Sequence, residues 1–107
     1  MYPIDCKAVI TKHPNVPLFD TGDIVTLKCT VKNADRAIKR ELTYQWFREG
    51  SDGEELKLEK TGKAIKLSPL TTKDAGRYRC VVVCGKLGEW KIKSNELVMN
   101  VKGEISA

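Results

Sequence analysis

The chain has 107 residues, 41% hydrophobic and 31% charged, which suits one domain with a core small enough to gain from covalent staples. Nineteen Lys and Arg against 14 Asp and Glu leave a net charge of +5. That balance favours acidic partners (a glycosaminoglycan, an acidic protein face, an anionic membrane surface), although lysines interleaved with acids read first as a solvated surface. No apolar run reaches the ~18 residues that a membrane-crossing helix needs. Met1–Asp5 lacks the charged and apolar regions of a secretory leader. The expectation is one domain, residues 1–102, excised from a larger protein behind an added start Met, with 103–107 beginning a linker. No Asn is followed by the x-Ser/Thr acceptor pattern, so no N-glycan is expected on any face.

Residues 5–11 alternate weakly and predict a first strand. Pro14 and Pro17 interrupt the next segment, because proline cannot donate to a ladder, and a second short strand is expected at 16–19. Residues 23–31 alternate with Val25, Leu27, Cys29 and Val31 on one face. Residues 32–41 form a charged connection with room for a helical turn. The next strand is 42–48, with Leu42, Tyr44 and Trp46 inward and Thr43, Gln45 and Phe47 outward. Glu49–Gly53 is a turn cluster. Leu56 and Leu58 mark a short strand, and Ile65, Leu67 and Leu70 have the spacing of another strand and its turn. Residues 76–84 alternate again, with Tyr78, Cys80, Val82 and Cys84 inward and Arg77, Arg79, Val81 and Val83 outward. Gly85-Lys86-Leu87-Gly88 is a hairpin turn. In the last segment Trp90 and Ile92 are even, whereas Leu97, Met99 and Val101 are odd. One strand cannot bury both sets, so a β-bulge is expected near Ser94–Glu96. Trp90 then goes with Ile92 toward the core or its rim.

Three features stand out in order. Cys29 ends the alternating run from Gly22. Trp46 lies in Tyr44-Gln45-Trp46-Phe47. In Asp74-Ala75-Gly76-Arg77-Tyr78-Arg79-Cys80, a Tyr stands two residues and an Asp six residues before a Cys. These match the core cysteines, core tryptophan and tyrosine corner of a known sandwich, and the chain resembles the immunoglobulin superfamily over nearly its whole length. The resemblance implies an all-β, two-sheet antiparallel immunoglobulin-like sandwich of the intermediate (I-set) or C2 type. In the family's lettering the predicted strands are A, A′, B, C, C′, E, F and G, with an A/A′ switch between sheets. Fifty residues between Cys29 and Cys80 leave no room for a C″ strand.

The resemblance also implies a Cys29–Cys80 disulfide with Trp46 packed on it, and a Tyr78 hydroxyl that bonds back to the E–F corner. Asp74 should pair with a basic residue that the sequence does not identify. Cys6 and Cys84 depart from the family's minimal pattern. Strand A starts at the end of the sandwich where strand F finishes, so a second bridge, Cys6–Cys84, is expected. Zinc binding on the Cys80-x3-Cys84 spacing and a bridge to another chain stay open beside it. An even cysteine count in a short chain points to an oxidising compartment, hence an extracellular or cell-surface setting. Four reduced thiols in an intracellular domain are the alternative.

No enzymatic role is expected. His13, the single histidine, sits before Pro14 in the A–A′ kink, and no nucleophile elbow, P-loop or dinucleotide fingerprint occurs. No cofactor, metal, nucleic acid or membrane insertion is expected either. The outward residues Phe47, Arg79, Val81 and Val83 put apolar anchors beside a cation on the G-F-C sheet, which suits a protein ligand or a second copy of the domain. The rival surface is basic: Arg36, Lys39 and Arg40 in the B–C loop, with Lys86, Lys91 and Lys93 around F–G, suited to an acidic glycan. The expected role is non-enzymatic recognition within an adhesion or immune-type receptor. A structural spacer in a multidomain array and a glycosaminoglycan-binding module are the alternatives.

Overall fold

The computed structural model describes residues 6–34, 41–85, 87–88 and 90–103. Two antiparallel sheets face each other. One contains β1 (Lys7–His13), β2 (Val25–Lys32) and β5 (Ala64–Leu67) in the order β1-β2-β5. The other contains β3 (Leu42–Glu49), β4 (Glu55–Lys57), β6 (Gly76–Cys84) and β7 (Trp90–Lys93) in the order β4-β3-β6-β7, with β8 (Leu97–Met99) also paired to β6. A 3-10 turn, Thr72–Asp74, leads into β6. The all-β sandwich expected from alternation is what the chain forms.

The two inner faces interdigitate. Ala8, Ile10, Val25, Leu27, Cys29, Ile65 and Leu67 from the smaller sheet meet Trp46, Tyr78, Cys80, Val82, Cys84 and Met99 from the larger. Phe19 and Leu70, from connecting segments, are buried among them. Leu42, Tyr44, Trp90 and Ile92 close the rim, half-buried against this core. Period-two alternation is the cause: each strand buries every second residue because successive side chains leave opposite faces of the pleat.

Several boundaries differ from expectation. The first strand is Lys7–His13 rather than 5–11. Lys12 and His13 look like a strand end, yet they pair with Leu27 and Thr26. Lys12 has inward parity, but its ammonium extends beyond the core to the Val98 carbonyl (3.2 Å) and lies 5.9 Å from the Phe19 ring centroid. A polar residue therefore occupies an inward position without being buried. The expected strand at 16–19 reduces to one parallel bridge, Phe19 with Val101. Phe19 N–H donates to the Asn100 carbonyl (3.0 Å), and Lys102 N–H donates to the Phe19 carbonyl (2.8 Å). Pro14 and Pro17 leave no longer ladder possible, but the chain still passes from one sheet to the other. The second strand runs 25–32 instead of 23–31, and Leu56 is exposed on a three-residue β4.

The parity break near residue 95 is a bulge. Val81 pairs with Lys93 and Tyr78 pairs with Leu97. Between those pairs, Arg79 and Cys80 face three residues, Ser94, Asn95 and Glu96. The extra residue flips the facing of everything after it. Its polar groups are taken up locally: Ser94 Oγ accepts from Cys80 N–H (2.8 Å), and Ser94 N–H donates to the Cys80 carbonyl (2.9 Å). Asn95 Oδ1 accepts from Ile10 N–H (2.8 Å). The bulge thus ties the edge of β1 to the opposite sheet, and Ala8 bridges Ser94 in parallel.

Candidate functional site

Cys29 and Cys80 are wholly buried. Interaction with Cys29, reinforced by burial, pushes the Cys80 thiol far above the usual range. Trp46 sits directly across the ladder from Cys80, and its indole N–H donates to the Gly62 carbonyl at 2.8 Å. Cys84 is also buried; burial pushes its thiol up, and the nearby Cys6 adds to the shift. Cys6 lies one residue before β1 with the inward parity of Ala8 and Ile10. Cys6 is half-buried, and Cys29, Cys80 and Cys84 are buried.

Tyr78 is fully buried, and its hydroxyl donates to the Asp74 carbonyl four residues back. Burial holds the phenol above its ordinary pKa, partly offset by Arg48. Arg48 is the basic partner the sequence left unidentified: its guanidinium lies 3.8 Å from the Asp74 carboxylate. The same carboxylate accepts from Thr71 N–H at 2.8 Å and so caps the 3-10 turn. One side chain thus orients both the turn and the arginine beneath it.

The outer face of the larger sheet differs from the expected patch. Phe47 and Arg79 are cross-strand neighbours, and the guanidinium lies 5.7 Å from the Phe47 ring centroid. Arg79 is also ion-paired with Glu55 on β4, so its charge is already partnered. Val81 is corrected outright: it is only 8% exposed. Alternation assigned its side of the sheet properly, since it lies outside the core cluster. Gln45 and Lys93 flank it on the adjacent strands. Val81 is a floor, not an anchor. Val83 is half-buried between Thr43 and Lys91. Val98 (50% exposed) follows the bulge on the same face, opposite Arg77. Neither Glu55 nor Val98 was among the expected face residues; applying the parity flip beyond residue 96 would have found Val98.

Of the basic end, Arg36, Lys39, Arg40 and Lys86 lie outside the described residues. Lys91 and Lys93 are exposed on β7, across from Val83 and Val81. They border the outer face of the larger sheet rather than the loop end. His13 is exposed and shares a 2.8 Å hydrogen bond with Thr11. Among the described residues, no group of His, Cys, Asp and Glu is arranged to hold a metal ion, and no helix is long and apolar enough to cross a membrane.

Residues 7–83 match the profile of the immunoglobulin domain. Among solved structures, the three N-terminal domains of the bacteriophage RB49 Highly Immunogenic Outer Capsid protein are similar. Identity is 23% and the TM-score 0.72, and the match covers 90% of this chain but 29% of that one. The second Ig-C2 domain of human Fc-receptor like A, isoform 9, is 16% identical with a TM-score of 0.67, covering 91% of this chain and 98% of that one. At these identities the likeness concerns the fold. The chain spans less than a third of the capsid-protein fragment. No curated protein matches it in sequence.

Proposed function

The chain belongs to the immunoglobulin-domain family, and from that premise we propose that it is a non-enzymatic recognition module of an extracellular, cell-surface protein. Its protein partner, or a second copy of the domain, docks on the outer face of the larger sheet. Fold alone does not assign a function; the supporting observation is the cluster at Phe47. An aromatic ring is held against Arg79, Arg79 is fixed in turn by Glu55, and half-buried Val83 lies on the same face. A preordered aromatic beside an arginine is the composition of a binding hot spot. The even count of four cysteines in a short chain supports an oxidising setting.

Phe47→Asp is the test, because it puts an unpaired charge where a partner would exclude water. Binding to cell-surface protein captured by the wild-type domain is expected to fall at least tenfold with the melting temperature held. Retained binding at equal stability would remove this face from consideration.

A further inference from the structure

The strands of the smaller sheet present a cationic outer face, with no acid among their own residues. The sequences of β1, β2 and β5 contain no aspartate or glutamate. Their inward positions fill the core, so the outward set is Lys7, Val9, Thr11 and His13 on β1, Thr26, Lys28, Thr30 and Lys32 on β2, and Ala64 and Lys66 on β5. Register brings these together in space. Lys7 faces Lys32 directly, Thr11 faces Lys28, and Thr26 faces Lys66. Lys66 and Lys28 are therefore diagonal neighbours, roughly 7–8 Å apart at Cα. Lys28 and Lys32, four residues apart on one strand, are separated by about 13 Å. All four lysines are exposed.

The two faces of the sandwich treat charge differently. On the larger sheet, Arg79 pairs with Glu55 and Arg77 with Glu96. On the smaller sheet, none of the four lysines meets a carboxylate within ion-pair distance among the described residues. Like charges directly opposite each other destabilise a sheet, and Lys7–Lys32 is such a pair. An external anion lying between them would relieve that repulsion.

We propose that this face binds a linear sulfated polysaccharide laid across β5, β2 and β1. The lysines neutralise sulfates, and the Thr11, Thr26 and Thr30 hydroxyls donate to sugar and sulfate oxygens. Charge complementarity selects a polyanion. The face offers no Phe, Tyr or Trp ring on which a nucleobase could stack, and its flat three-strand width does not enter a groove as a helix or two-strand ribbon does. This surface lies on the opposite side of the molecule from Phe47, so the inference stands independently of the protein-docking reading.

Heparin serves as the probe in affinity chromatography and calorimetry. Wild-type binding is expected to weaken roughly fiftyfold or more between 50 and 200 mM NaCl, as for four lysines that displace condensed counterions. Lys28→Glu with Lys66→Glu should weaken it a further tenfold or more. Lys91→Glu with Lys93→Glu, on the other sheet, makes the same change in net charge and should alter binding less than twofold. Lys28→Gln with Lys66→Gln, with its melting temperature checked, covers the chance that charge reversal disturbs folding; it should move affinity in the same direction. Equal loss in both charge-reversed variants would reduce the effect to net charge and overturn the proposal. So would wild-type failure to bind heparin at 150 mM NaCl, or a preference for phosphatidylserine vesicles over heparin.

Discussion

Asp74 and Tyr78 act as a unit at the lower corner of the sandwich. The carboxylate caps the turn and meets Arg48, while the residue's own carbonyl takes the Tyr78 hydroxyl. Tyr78→Phe keeps the ring and deletes the donor. It should cost roughly 0.5–1.5 kcal/mol, typical of one intramolecular hydrogen bond, read as a lower urea midpoint with unchanged slope. Gly76, at the entrance of β6, is the second sensitive residue. Its φ is +147°, and a Cβ there would lie 2.5 Å from the Glu49 carbonyl oxygen. Gly76→Ala should therefore destabilise by about 2 kcal/mol or more, combining backbone strain with a clash against a fixed atom. The Asp74–Tyr78 spacing was legible in the sequence because both residues lie in one short motif. Arg48 was not, because its partner is 26 positions away and only strand pairing reveals it.

At the scale of elements, alternation accounts for most of the fold. Strand β6 has the expected limits, and the bulge was legible because burying Ile92 and Leu97 on one regular strand is impossible. What alternation could not convey is cover: it sets the side of the sheet on which Val81 lies, but not that Val81 is only 8% exposed there. The cationic face was equally hidden, since Lys7, Lys28, Lys32 and Lys66 are scattered in sequence and only register aligns them. The bulge and the cysteine pairs can each be tested. Asn95→Ala removes the side chain that accepts from Ile10 N–H; a loss of about 1 kcal/mol and faster amide exchange at Ile10 are expected. Non-reduced peptide mapping of material from an oxidising compartment should find Cys29–Cys80 and Cys6–Cys84. The second would pin β1 to the end of β6, closing a long loop with a chain-entropy stabilisation of ~4 kcal/mol. Recovery of a Cys6–Cys29 peptide would contradict that arrangement.

For the molecule as a whole, pH connects burial to stability. Burial raises the phenols of Tyr44 and Tyr78 above their ordinary values. The unfolded chain therefore releases these protons first. The stability they contribute is complete below about pH 10 and is lost as pH climbs through the raised folded values. Alkaline titration of the melting temperature should show a decline beginning near that pH, and Tyr78→Phe should make it shallower. A decline of equal steepness in the variant would assign the effect to other groups.

The bridge between Phe19 and Val101 has a mechanical consequence. Its two segments run in the same direction, so pulling the N-terminal side and the C-terminal side of the domain apart slides one segment lengthwise along the other. The Phe19–Asn100 and Lys102–Phe19 hydrogen bonds lie across that direction and are strained together, in shear, instead of opening one after the other as in a zipper. This latch and the parallel Ala8–Ser94 bridge of β1 therefore resist tension on the domain together. Both bridges must slip before β1 and the segment through Phe19 can leave the fold.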